Sequence, residues 1–291
     1  MPGGSWRGAL WLLADMALNI WALSIVKATG AEFGAVQLVF LRAVTGLALM
    51  LPWIWMARAR FAEVRAPGLH LMRIALSTVT LACSFHAIAR LPLALVTAVN
   101  FTRPLILIAM AALFLSEPAT PRRWIAAGIG LLGVFVAVEP GRTAPDWAIL
   151  SLVVMVLAGT AAIVATRKLN DQPEVVMMAA YTAGLALCTA PFALASWTPI
   201  PAGLWPLLLG IGLFAQLAQF CFLRAHRLAE AGMLAIIGYA SLILGTGTGW
   251  LVFDEVPGAG FWGGATLIVV ASLIARRPAA DRAGARGARR N

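Results

Sequence analysis

The chain has 291 residues, 61% hydrophobic and 12% charged, with a formal net charge of +10 and a mean hydropathy of +0.88. A soluble domain carries about 25% charged residues and a soluble core stops growing near about 250–300 residues. This composition therefore excludes a soluble enzyme or a secreted disulfide scaffold and makes lipid the solvent. Cys83, Cys188 and Cys221 all fall inside apolar stretches and read as small core residues rather than a disulfide framework. No metal-ligand spacing is present, and neither metal nor cofactor is expected.

A hydrocarbon core about 30 Å thick takes about 20 apolar residues per helix. On that measure the chain reads as an all-α membrane protein of ten transmembrane helices, near 8–26, 36–56, 74–89, 93–115, 124–138, 147–166, 175–196, 204–223, 231–253 and 258–275. The third and fifth are short and extend into flanking residues. Asp15 and Asn19 interrupt the first, and no small-residue cleavage site follows it, so it reads as a retained helix and not a signal peptide.

Lysine and arginine set the orientation. With a cytoplasmic N-terminus all but five of the 22 fall in cytoplasmic segments, including Arg58, Arg60, Arg65 and Arg73. Lys27, Arg90 and Arg142 fall outside, and Arg42 and Arg103 within spans. The positive-inside bias places both termini in the cytoplasm and accounts for the net charge without a nucleic-acid partner. Residues 279–291 read as a disordered basic tail lying against anionic lipid.

Shifted by 138 residues, the chain coincides with itself. Residues 46–49 (GLAL) fall on 184–187 (GLAL), Ile25-Val26 on Ile163-Val164, Glu117 on Glu255, Trp124 on Trp262 and Pro140 on Pro278. One offset shared by charged, aromatic and proline positions marks an internal duplication, with repeats at 1–140 and 141–278. Five spans per repeat is an odd number, so the second repeat enters the membrane from the opposite side. Secondary transporters use such inverted repeats to build two alternating states around one midplane site.

The run Pro104 to Glu117 (PLILIAMAALFLSE), followed by Gly133-Val134, resembles the Pro…Gly-Glu…Gly…Gly-Val signature of the EamA-type drug/metabolite transporter superfamily. Ser116 replaces the glycine before Glu117, and Ala126 an expected glycine. The second half resembles it less closely: Glu255 and Gly264 are in place, Leu242 stands where the proline would be, and Ala271 replaces the last glycine. The resemblance covers nearly the whole chain and is nearest to YddG-type amino acid exporters. It implies a non-enzymatic carrier of the bacterial inner membrane that exports amino acids, aromatic and other neutral ones, by alternating access. Because the motif marks fold rather than substrate, a drug or other-metabolite exporter is the alternative. An intramembrane enzyme is remote, since no nucleophile–base set stands at workable spacing.

Polar groups inside a span normally face the bundle interior or water. Trp11, Asp15 and Asn19 share one face of the first helix at i, i+4 and i+8. Thr80 and Ser84 lie in a polar stripe with Ser77, and Asn100 and Arg103 lie together on the fourth helix. Gln216, Gln219 and Tyr239 stand in the second half. These ten residues (Ser77 aside) are the expected substrate pathway. Asp15 is expected to pair with Arg103, leaving one arginine for a substrate carboxylate while Asn100 or the glutamines take an amino group. Aromatic and apolar walls would take the side chain. The plain alternative is a pair that merely holds helices 1 and 4 together. Pro104 removes one backbone hydrogen bond and is a candidate hinge, or else a static kink.

Helices 5 and 10 are almost free of polar side chains and are expected at the periphery. The GxGxxG of residues 128–133 lacks the strand and acid of a dinucleotide site and reads as close helix packing. Gly245, Gly247 and Gly249 read the same way, with bending as the alternative. Glu117 and Glu255, each at a helix exit, read as caps for the next helix start. There is no nucleotide motif to drive transport, and Asp15 is the only carboxylate well inside a span should a proton do so.

Overall fold

The computed structural model describes residues 5–63, 66–100, 102–103, 105–106, 110, 121–138, 147–169, 172–228, 237 and 240–275. These form α1 (Ser5–Thr29), α2 (Ala35–Met56), α3 (Pro67–Arg90), α4 (Leu93–Asn100), α5 (Pro121–Val138), α6 (Trp147–Lys168), α7 (Glu174–Ala195), α8 (Trp205–Leu228), α9 (Ala240–Phe253) and α10 (Ala259–Ala275). Among the described residues there is no strand. Six of the helices, α1, α2, α3, α6, α7 and α8, are long and apolar enough to cross a membrane. The apolar stretches of α5, α9 and α10 are shorter.

One boundary moves in a way that matters. α3 begins at Pro67 and not near 74, with the proline at the helix start, where its missing N–H is no loss. Its first two turns are too polar for a hydropathy ruler. They bring Arg73, assigned above to a cytoplasmic loop, into the helix.

The helices pair as a two-fold relation between the repeats requires. α1 packs on α8 and, 138 residues on, α6 packs on α3; α2 on α8 is likewise matched by α7 on α3. α5 packs on α10, α2 on α7 and α4 on α9, each helix on its own counterpart. The main core accordingly draws Val26, Leu38 and Ile88 from one half and Leu152, Leu185 and Leu208 from the other. The symmetry is incomplete among the described residues. α3 packs on α1 and α2, whereas among the described residues α8 has no contact of similar extent with α6 or α7.

α5 and α10 lie at the edge of the bundle, packing on each other and otherwise on α4. Their outer faces carry Ile125, Leu131, Phe135 and Trp262, each more than half exposed, the surface that lipid would cover. A methyl group on Gly133 would stand 2.8 Å from the Gly264 carbonyl oxygen, and one on Gly264 would strike the Gly133 carbonyl. Only glycine lets these backbones meet. Gly130 abuts Leu105 and Ala271, while Gly128 faces open space. Gly245 is packed against Thr97, and a methyl group on Gly247 would meet nothing within 4 Å among the described residues.

One end of the bundle is tied by polar contacts. Lys27, in the last turn of α1, forms an ion pair with Glu255 and donates to the Leu91 carbonyl at 2.8 Å. The other oxygen of Glu255 accepts the Leu93 N–H at 2.9 Å. Glu255 is thus a helix cap, but of α4 and not of the helix that follows it. Beside them, the buried Gln37 amide donates to the Thr198 carbonyl at 2.9 Å and accepts its N–H at 3.0 Å. Glu117 lies outside the described residues.

Candidate substrate cavity

A cavity of about 550 Å³ lies among α1, α2, α3, the end of α4 and the segment after it, α6, α7 and α8. Both repeats therefore contribute to it. Of the residues expected in the pathway, Asn19, Thr80, Ser84, Asn100, Arg103, Gln216 and Gln219 line it. Tyr239 and Pro104 lie outside the described residues.

Trp11 and Asp15 do not line the cavity. Trp11 packs with Leu12 and Met16, its ring edge-on to Phe220 with centroids 5.9 Å apart. The buried Asp15 carboxylate accepts a hydrogen bond from Asn19 Nδ2 at 2.8 Å. No ion pair joins it to an arginine among the described residues. The expected Asp15–Arg103 pair is therefore not made. Asp15 instead meets the amide one turn further along its own helix, a geometry available before any other helix arrives, and so orients a residue that does face the cavity.

Arg103 lies flat against α6. A methyl group on Gly159 would come within 2.9 Å of Nη2 and 3.1 Å of Cζ, so the missing side chain there is the berth for the guanidinium. Among the described residues, Arg103 Nε and the nearby Asn100 Oδ1 are buried without a hydrogen-bond partner. Asn100 Nδ2 is spent on the Val96 carbonyl at 3.2 Å.

Arg73 is the residue sequence reasoning misplaced. Nε donates to Thr166 Oγ1 at 2.8 Å, Nη1 donates to the Met177 carbonyl at 3.2 Å, and the guanidinium stands 5.4 Å from the Tyr181 ring centroid. The signal was present: Arg73, Ser77, Thr80 and Ser84 fall at i, i+4, i+7 and i+11, one helical face, and all four line the cavity. Arg42 from α2 adds a third cation. Tyr181 is the one aromatic side chain among the described lining residues, and Leu23, Leu81, Ile163 and Met178 supply apolar surface.

Apolar membrane-length helices around a polar cavity shared by two repeats define a membrane transporter. The family model of the EamA-like transporter family matches the chain twice, over residues 6–138 and 146–277, and the chain belongs to that family. A riboflavin transporter of Brucella anthropi is 30% identical, over 84% of this chain and 88% of its own. A pseudopaline exporter of Pseudomonas aeruginosa is 31% identical, over 87% and 90%. An S-adenosylmethionine uptake transporter of Rickettsia felis is 23% identical, over 92% and 91%. A solved crystal structure shares the fold at a TM-score of 0.64 and 18% identity, over 93% of this chain and 96% of its own. The chain is a multi-pass protein of the bacterial inner membrane, and its family and these relatives are transporters, not enzymes. The relatives carry chemically different cargo by name, so the narrower likeness to amino acid exporters does not follow from them.

Proposed function

We propose that this chain is a secondary transporter that exports small carboxylate-bearing metabolites, amino acids among them, by alternating access. In this reading ten spans form two inverted five-helix repeats with both termini cytoplasmic. The observation that supports it most is the polar cavity between the repeats, which places arginine, asparagine and glutamine side chains together in the interior of an apolar bundle. Polar groups at such depth serve a pathway, because their burial there is otherwise costly. With a cytoplasmic N-terminus, the end tied by Lys27, Glu255 and Gln37 is the outer one.

A second reading, export of another metabolite, draws on the relatives named for riboflavin and pseudopaline. Counterflow in proteoliposomes separates the two. Vesicles loaded with unlabelled tryptophan and threonine should accumulate the labelled forms if amino acids are cargo, with and without a pH gradient. Exchange of riboflavin with no exchange of either amino acid moves the assignment to the second reading.

A further inference from the structure

Three arginines from three helical segments of the first repeat, Arg42, Arg73 and Arg103, line one cavity. No carboxylate lines it among the described residues, and none of the three makes an ion pair there. Asp15, a buried acid outside the lining, is turned onto Asn19. Three cations inside a low-dielectric bundle repel one another and lose hydration, and a transported anion relieves both costs.

Two of the arginines are also held ready. Arg73 is fixed by Thr166, the Met177 carbonyl and the Tyr181 ring, and Arg103 is seated on the bare backbone of Gly159. A guanidinium fixed in this way presents its remaining N–H groups as a planar fork suited to carboxylate or phosphate oxygens. Next to Arg103, Asn100 Oδ1 is an acceptor with no donor among the described residues, placed to take an N–H or O–H from the same ligand.

Resting on the transporter reading, we infer that the cargo is a small metabolite with at least two negative charges on carboxylate or phosphate and a nearby N–H or O–H donor, and that Gly159 is the positioning residue that seats Arg103 for it. A neutral amino acid leaves two of the three cations unmatched. It is therefore a weaker ligand than an acidic one of similar size.

The test uses the full chain in proteoliposomes loaded with L-glutamate, at fixed ionic strength. Labelled glutamate counterflow is competed with succinate, citrate, glycerol 3-phosphate and tryptophan. The dianions and citrate should compete at concentrations at least about tenfold below tryptophan. Arg73→Gln and Arg103→Gln should each weaken dianion competition about tenfold or more, with Arg103→Lys restoring part of it. Gly159→Ala keeps every charge and meets the end of the Arg103 side chain and, at 3.1 Å, Thr80 Cγ2. It should weaken dianion competition several-fold while the protein stays monodisperse and its melting temperature holds, so it decides the question if an arginine variant fails to fold.

Competition by glycerol 3-phosphate alone would assign the anionic group to phosphate, and by succinate and citrate alone to carboxylate. Tryptophan exchange that no dianion inhibits overturns the inference and leaves the carrier standing. No exchange of any of these solutes by monodisperse protein overturns both. An unaltered Gly159→Ala profile overturns the positioning role.

Discussion

The Lys27 ammonium and the Glu255 carboxylate lie 2.5 Å apart, with 11% and 17% of their side chains exposed. Through the Leu91 carbonyl and the Leu93 N–H the pair also holds the turn between α3 and α4. Three junctions of the chain, from both repeats, thus converge on one shielded ion pair at one end of the bundle.

Breaking a buried pair from one side costs more than the pair contributes, because the remaining charge is left without a partner. Glu255→Gln should therefore loosen this end. In a background lacking Cys83, Cys188 and Cys221, a cysteine introduced at Leu91, which is 8% exposed, should react with a membrane-impermeant maleimide several-fold faster when Glu255→Gln is present. Equal rates would mean that the pair does not keep this end shut.

Gln37 tests the same end by hydrogen bonding alone. Its amide is 1% exposed and satisfied at both atoms by the Thr198 backbone. Gln37→Glu places an acceptor against the Thr198 carbonyl and should cost about 1–3 kcal/mol or more. Gln37→Leu removes the side-chain polar groups but strands the Thr198 ones. Thermal melts in detergent should rank wild type above both variants.

The glycines of the GxGxxG run should separate cleanly. Gly133→Val drives a side chain into α10 and should lower stability by about 1–3 kcal/mol or more. Gly128→Ala meets nothing within 4 Å and should be neutral or stabilising by up to about 1 kcal/mol, through helix propensity. Melting temperatures of the two variants check this, and equal losses would count against the α5–α10 crossing.

Asp15 should act through Asn19. Asp15→Asn leaves an amide that pairs with Asn19 less specifically, so glutamate exchange should slow a few-fold while any dependence on the pH gradient persists. Loss of that dependence, with exchange otherwise intact, would instead make Asp15 the proton carrier.

Much of this architecture is legible in the sequence because lipid imposes a length and a polarity on every helix. The peripheral place of α5 and α10 and seven of the lining residues follow from that demand. Arg73 escaped because an arginine near a helix start looks like a loop charge; only its i+4, i+7 and i+11 companions say otherwise. The Asp15–Arg103 pairing failed for a different reason. Periodicity gives the face a residue is on, not the neighbour its side chain reaches, and Asp15 found Asn19 first. Gly159 was not legible, since its role consists of an absence that only the facing guanidinium reveals.

The packing of α1 on α8 bears on how the protein is made. α1 ends at residue 29 and α8 begins at residue 205, a lag on the order of ten seconds or more at ordinary translation speed. Over that interval α1 stands in the bilayer without the surface it is shaped to meet, carrying a carboxylate and an amide. The Asp15–Asn19 hydrogen bond lets it wait: the helix brings a partner for its own acid and needs none from its neighbours until α8 arrives.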